Sequence, residues 1–425
     1  MTHCRNSRGA RRAEEMIDPR MRRGKTIAAS LVVLLISICL ALYISLFRMQ
    51  SINTRTADTH AVQRPGIPRF NSTALFHEFV LATFNNSAYR RWKPSRGIIF
   101  LKTHKTGSST LTSIFHRLAV THNLSCAVPL LSGKGKTHDL RNQTIQDEVR
   151  YSMLSQKNTP MPFDMWVNHV SYSPFIHDVV PSAHGFAFAS IRDPATRVPS
   201  SCDFFKCCPH DRSNWTLYSQ FVQSNDGARF LKEGTEVCRL DDTSIDITGV
   251  NRSSPGFVAS FEETLSKVRD GRLLLLVTDR MLESVLVLMH EYDLHPLDAS
   301  FHSLKVRTDS SVEDGEENLP DEVRNAYEKT RQAHRYDWEL YKLANRTLDE
   351  RLRRFYPVPS KLVRDLEALE EMNQWMGSLC SPRMAAEISS TIQQMCFEWK
   401  VDNVAWIQAH HPYGPHPSEP VVSSK

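Results

Sequence analysis

Past its first 25 residues the chain has no net charge. Met1–Lys25 carries Arg5, Arg8, Arg11, Arg12, Arg20, Arg22, Arg23 and Lys25 against Glu14, Glu15 and Asp18, and this tail alone matches the +5 of the whole chain. The rest sums to zero, which removes the electrostatic case for a nucleic-acid-binding body. A disordered chain is also excluded, because 41% of residues are hydrophobic and 23% charged, enough to bury a sizeable core. There is no internal repeat, so a solenoid is not expected. No Walker A loop is present. That loop places its lysine after a second glycine, whereas here the lysine precedes the only glycine in Lys105-Thr106-Gly107-Ser108-Ser109-Thr110. An A-x-A cleavage pattern is missing too, since the long apolar run Ile27–Phe47 ends in Tyr43-Ile44-Ser45-Leu46-Phe47-Arg48.

What is present gives an order along the chain. Ile27–Phe47 has no charged residue and is long enough to span a bilayer. The positive-inside rule keeps the arginine-rich tail in the cytoplasm. The expected organisation is a cytoplasmic tail (1–26), a transmembrane signal anchor (27–47), a Pro/Gly-containing luminal stem (48–69) and a luminal domain (70–406). The Pro/His-rich stretch 407–425 reads as disordered. Sequons at Asn71, Asn85, Asn123, Asn142, Asn214, Asn251 and Asn345 agree with a glycosylated luminal body. Disulfides are expected among Cys126, Cys202, Cys207, Cys208, Cys238, Cys380 and Cys396. Their odd number leaves one free or intermolecular, so a homodimer stays open. Zinc on Cys202, Cys207, Cys208 and His210 is the weaker reading in an oxidising lumen.

The chain is organised around Arg96–Leu118. An apolar strand, Ile98–Leu101, leads into Lys102, His104, Lys105, Gly107 and a run of hydroxyls. Leu111, Ile114, Phe115 and Leu118 then recur at helical spacing. Strand, polar turn and helix present backbone N–H groups and a positive helix end to an anion. The alternative is an ordinary turn capped by Ser or Thr. Further strands are expected at Phe163–Tyr172, Gly185–Ile191 and Arg272–Thr278. Helices are expected at Phe70–Tyr89, Thr144–Ser155, from Asp193 through Lys206, Met281–Glu291 and Asp321–Phe355, with an acidic loop at Lys305–Pro320. Strands alternating with helices predict a parallel α/β sheet. A second anion anchor is Arg192, which can grip an oxyanion bidentately, with Ser200 eight residues on. The competing reading of Arg192-Asp193-Pro194 is a surface turn in which Asp193 caps a helix.

Together these segments resemble the sulfotransferases that use 3′-phosphoadenosine 5′-phosphosulfate, with Lys105–Thr110 as the 5′-phosphosulfate loop and Arg192 with Ser200 as the 3′-phosphate site. The string FLKTHKTGSST is similar to that of the galactose 3-O-sulfotransferases, Golgi enzymes acting on galactosylceramide or terminal galactose. Tyr336-Asp337-Trp338-Glu339-Leu340-Tyr341 and Asn345-Arg346-Thr347 resemble the later D-W-x-L-Y and N-x-T region of that family. The likeness is sharp at these segments and looser over Arg96–Phe355.

The resemblance implies a P-loop-like α/β fold with a central parallel sheet flanked by helices. It also implies a Golgi luminal site, a galactose-terminated glycolipid or glycan acceptor, and no required metal. Lys105 would neutralise charge on the sulfate and the bridging oxygen, with Lys102 assisting. Thr106, Gly107, Ser108, Ser109 and Thr110 would line the donor. The acceptor hydroxyl needs a base, for which histidine suits best. His104 belongs to the loop itself; His169, in His169-Val170-Ser171-Tyr172, resembles the basic histidine of the uronyl 2-O-sulfotransferases. Two departures stand out. Pro199 precedes Ser200 where a helix is wanted, with Ser201 as a stand-in, and the stretch after Thr278 matches the family loosely. Rival readings are a uronyl 2-O-sulfotransferase, an inactive luminal glycan-binding protein and a nucleotide kinase.

Overall fold

Four strands fix the architecture, and each is mostly apolar, broken only by Asn168 and Ser190, with every side chain buried, as a sheet covered on both faces requires. A computed structural model describes residues 66–127, 138–139, 162–205, 230–231, 237–238, 243–302, 319–381 and 390–400. The basic tail, the anchor, nearly all of the stem, the Thr144–Ser155 helix, most of the acidic loop, Cys207, Cys208, His210 and the stretch 407–425 lie outside the described residues. No helix among those described is long and apolar enough to cross a membrane. The described residues from Ile67 on belong to one compact unit.

The strands are β1 (Ile98–Leu101), β2 (Cys126–Ala127), β3 (His138–Asp139), β4 (Met165–Asn168), β5 (Val170–Ser171), β6 (Ala187–Ile191), β7 (Phe230–Leu231), β8 (Val237–Cys238) and β9 (Leu273–Val277). The longer helices are α1 (Thr73–Asn85), α2 (Ser108–Thr121), α3 (Pro194–Phe205), α4 (Phe257–Arg269), α5 (Met281–Tyr292), α6 (Asp321–Ala333), α7 (Arg335–Phe355), α8 (Pro359–Leu379) and α9 (Ser390–Lys400). The main sheet has the order β2-β4-β1-β6-β9, and every pairing in it is parallel. From β1 the chain builds outward first on one side, through β2 and β4, and then on the other, through β6 and β9. That reversal opens a crevice beyond the carboxyl ends of the strands, where α/β sheets bind ligands. Leu101 is in register with Asn168 and Ala189, and Ile191 with Val277. The residues that follow these ends, Lys102, His169, Arg192 and Thr278, therefore emerge along one edge.

Three expectations need correction. Phe163–Tyr172 is not one strand. The Asn168 side chain accepts the His169 amide at 2.8 Å, which takes that amide out of the ladder. The chain resumes as β5, which pairs with β3 in a separate two-stranded sheet. Asp321–Phe355 is not one helix. It breaks at His334 (φ −104°, ψ 44°), so that α6 packs on α3 while α7 lies against β9 and α5. Pro199 does not start or end a helix. Pro194 opens α3 and the helix runs through Pro199, which only deprives the Ala195 carbonyl of its usual donor.

The expected disulfides are present among the described cysteines. Cys380 and Cys396 are bonded, joining the end of α8 to α9, which packs against α2. Cys202 is disulfide-bonded as well. Cys126 is a free thiol, and burial pushes it up to about 12.

Candidate active site

The loop after β1 is held in a shape that ordinary side chains avoid. Lys105 (φ 59°) and Gly107 (φ 65°) both adopt the left-handed conformation, a combination found where structure over-determines the backbone. Gly107 is the N-cap of α2 and supplies no side-chain hydrogen bond. Ser108, the nearest hydroxyl, donates to the Thr103 carbonyl at 2.6 Å instead of capping. The Thr110 amide turns back to the Gly107 carbonyl at 3.1 Å, while the Ser108 and Ser109 amides at the helix start have no side-chain cap. A Cβ on Gly107 would lie 2.8 Å from both Met281 Cε and Thr278 Cγ2, so the glycine is required by space as well as by φ.

Beneath the loop is a cluster of hydroxyls. Thr106 Oγ1 lies 2.7 Å from both Thr103 Oγ1 and Ser190 Oγ, and Thr103 Oγ1 donates to the Ser190 carbonyl at 2.6 Å. Thr278, just past β9, points its hydroxyl at the Thr106 carbonyl (2.5 Å) and the Ile191 carbonyl (3.0 Å). Thr106 and Ser108 are buried and serve the loop from within, while Ser109 is partly exposed and Thr110 buried on the first turn of α2. Lys102 is buried and Lys105 partly exposed, with its Nζ 4.4 Å from the Phe204 ring centroid.

The two candidate bases meet. The His104 and His169 rings stack at 4.1 Å, 10° from parallel. His169 Nδ1 is 2.8 Å from the Lys102 carbonyl. A carbonyl only accepts, so Nδ1 carries the proton and the neutral ring has its lone pair on Nε2. The break between β4 and β5 is what turns this imidazole toward the loop.

Arg192 follows β6. Its Nε donates to Thr196 Oγ1 at 2.9 Å and stands 3.7 Å from Asp279. Asp193 plays the capping part, accepting from the Ala195 amide at 2.8 Å, and it is paired with Arg331 at 2.5 Å. Burial raises its carboxyl, against the pull of Arg331. Ser200 is buried on the second turn of α3 and Ser201 is fully buried beside it.

An anion-ready loop, an arginine from the next strand and a paired histidine thus occupy one edge of a parallel sheet. The galactose-3-O-sulfotransferase family profile matches residues 20–397. The chain belongs to that family. Among curated relatives it is similar to the galactose-3-O-sulfotransferase 2 of Homo sapiens, with 28% identity over 294 residues, 68% of each chain. The Sus scrofa galactose-3-O-sulfotransferase 2 is 25% identical over 71% of this chain and 73% of its own. The galactosylceramide sulfotransferase of Homo sapiens is 24% identical over 69% and 66%.

Family membership makes the chain a carbohydrate sulfotransferase, and the structure explains its Asp-Trp segment. Asp337 is fully buried, accepts from the Thr243 and Ser244 amides at 3.1 and 2.8 Å, and pairs with the equally buried Arg197 at 3.0 Å. Burial would raise this carboxyl, but Arg197, Arg252 and His334 outweigh it and hold it low. Asp337 thus locks α7 to α3 behind Arg192. Asn345, read as a sequon, is engaged within α7: its amide donates to the Tyr341 carbonyl at 3.1 Å. Asn71, Asn85 and Asn123 are exposed. Thr103, Ser190, Arg197 and Thr278 were not found from sequence. Only the hydroxyl next to a strand end hinted at Ser190 and Thr278, and such serines and threonines are common.

Proposed function

We propose that the chain transfers a sulfuryl group from 3′-phosphoadenosine 5′-phosphosulfate to the 3-OH of galactose on a glycolipid or glycoprotein glycan. It does so from the lumen of the Golgi, held as a type II protein by Ile27–Phe47. The supporting observation is the uncapped start of α2 beside Lys105, within one loop of the His104–His169 stack. The residues fit the donor's charge: the loop offers amides and Lys105 to the phosphosulfate, and Arg192 with Ser200 suits the 3′-phosphate. The donor supplies an activated sulfuryl group. His169 Nε2 takes the acceptor hydroxyl proton while its Nδ1–H stays on the Lys102 carbonyl. Lys105 neutralises the charge left on the bridging oxygen as the sulfuryl group passes to O3, so the protein's part is positioning and charge stabilisation.

The test is to incubate the full-length chain in detergent with radiolabelled donor and a panel of galactosides, lactosides and glycosaminoglycans. Label on terminal galactose is expected. Label confined to glycosaminoglycan would replace galactose by a uronyl acceptor, the reading favoured by His169-Val170-Ser171-Tyr172. Label on nothing would leave a glycan-binding protein. His169→Ala should remove turnover and His104→Ala should lower it; near-full activity in both would end the histidine-base account.

A further inference from the structure

Asp279 places a carboxylate beside Arg192, the residue suited to the donor's 3′-phosphate. β6 and β9 are neighbours, with Ile191 level with Val277. Arg192 and the Thr278–Asp279 turn therefore leave the sheet side by side at the crevice. Asp279 has one structural task. Its Oδ2 accepts the Asp193 amide at 3.2 Å, which ties the turn before α3 to the end of β9. An asparagine oxygen could accept the same amide without a charge. The charge itself burdens its surroundings: burial raises the Asp193 carboxyl and Asp279 adds to that rise. It also stands against any anion drawn to Arg192. Its Oδ1 is 3.7 Å from Arg192 Nε, too far for a hydrogen bond, and that Nε already donates to Thr196. Burial, with the Asp279 charge behind it, raises the Tyr341 phenol, so this neighbour on α7 stays a neutral hydroxyl. The Asp279 side chain is 34% exposed. It thus presents an acceptor-only oxygen to the crevice, next to Arg192.

We infer that Asp279 reads the donor's ribose, accepting the 2′-OH that lies next to the phosphate on Arg192. The inference rests on the proposed function, which sets the 3′-phosphate on Arg192, and deepens it with a second contact. In a 3′-phosphorylated ribonucleoside the 2′-OH sits on the adjacent carbon and on the same face of the ring. It accompanies the phosphate wherever that group is held. An ionised carboxylate can only accept, and this hydroxyl is the donor that arrives beside it. Acidic residues at the edge of parallel sheets take ribose hydroxyls in dinucleotide-binding folds by the same chemistry. The charged hydrogen bond offsets the repulsion between carboxylate and phosphate, which explains a charge that the fold does not need.

The experiment measures binding of adenosine 3′,5′-bisphosphate and of its 2′-deoxy analogue by calorimetry, on full-length wild type, Asp279→Ala and Asp279→Asn. Wild type should bind the ribonucleotide about 10- to 150-fold more tightly, the contribution of one charged hydrogen bond. Asp279→Ala should bring that ratio to about one. Asp279→Asn, which keeps an acceptor for the Asp193 amide, should fall between the two. Equal binding of both nucleotides by wild type would overturn the inference. So would variants that weaken both nucleotides alike and keep the wild-type ratio, because a merely structural role predicts that result. If wild type binds neither nucleotide, the proposed donor site falls and the inference with it. Binding by wild type with an unchanged ratio in both variants overturns the ribose contact alone.

Discussion

Replacing Thr278 by valine keeps the shape of the side chain and removes one hydroxyl. That hydroxyl lies 2.5 Å from the Thr106 carbonyl and 3.0 Å from the Ile191 carbonyl, so it ties the donor loop to the strand that carries Arg192. It has one proton for two acceptors, so the loss is one net hydrogen bond at a time. A neutral hydrogen bond contributes about 0.5–1.5 kcal/mol, and an orphaned buried acceptor raises the cost to about 3 kcal/mol. Because both halves of the donor site hang on this contact, the loss should appear in nucleotide binding. An affinity for adenosine 3′,5′-bisphosphate weaker by about 2- to 150-fold is expected. Calorimetry on the full-length chain reads it directly, with thermal unfolding as a check on the fold. Thr278→Ser keeps the hydroxyl and should bind within a few tenths of a kcal/mol of wild type. If Thr278→Val binds like wild type, or Thr278→Ser binds as weakly as Thr278→Val, the tie is not what holds the loop.

Three other outcomes follow from the same geometry. Gly107→Ala puts a methyl 2.8 Å from Met281 and Thr278 at a φ of 65°, a strain of about 1–2 kcal/mol, and should lower nucleotide affinity more than it lowers Tm. Asp337→Ala leaves Arg197 buried without its carboxylate and should cost about 3–5 kcal/mol in stability. The double variant Arg197→Met, Asp337→Leu should recover part of that loss in the same thermal assay. His295 accepts the Leu297 amide on Nδ1, and burial, opposed by Asp298 and aided by His122, holds it below the ordinary imidazole value. Below pH about 6.5 the unfolded chain gains a proton that the folded one resists. Stability should therefore fall with pH there and level off once the folded group also titrates. His295→Asn keeps an acceptor for the amide and should flatten that part of the Tm profile.

The parallel sheet was legible because buried parallel strands are unbroken apolar runs; Ile98–Leu101 and Leu273–Val277 stand out with no alternation to confuse them. The donor loop was legible for a related reason, since a lone glycine amid lysine and hydroxyl residues after a strand has few structural uses. The left-handed Lys105 was not, because a non-glycine residue held at positive φ depends on distant neighbours such as Thr278. The break at His169 depends on the Asn168 side chain competing for a backbone amide, and periodicity carries no trace of that. The Arg197–Asp337 pair joins residues 140 positions apart. The sequence offered Asp337 only as part of a resemblance and Arg197 not at all.

The central claim is that Lys105 in this loop drives sulfuryl transfer to O3 of galactose. The most direct measurement incubates wild-type and Lys105→Ala full-length chains with ³⁵S-labelled donor and a lactoside, then maps the labelled position on the product. The account predicts label at O3 of the galactose with wild type and none above background with Lys105→Ala. Equal label from the two proteins, or label at another hydroxyl, would contradict it.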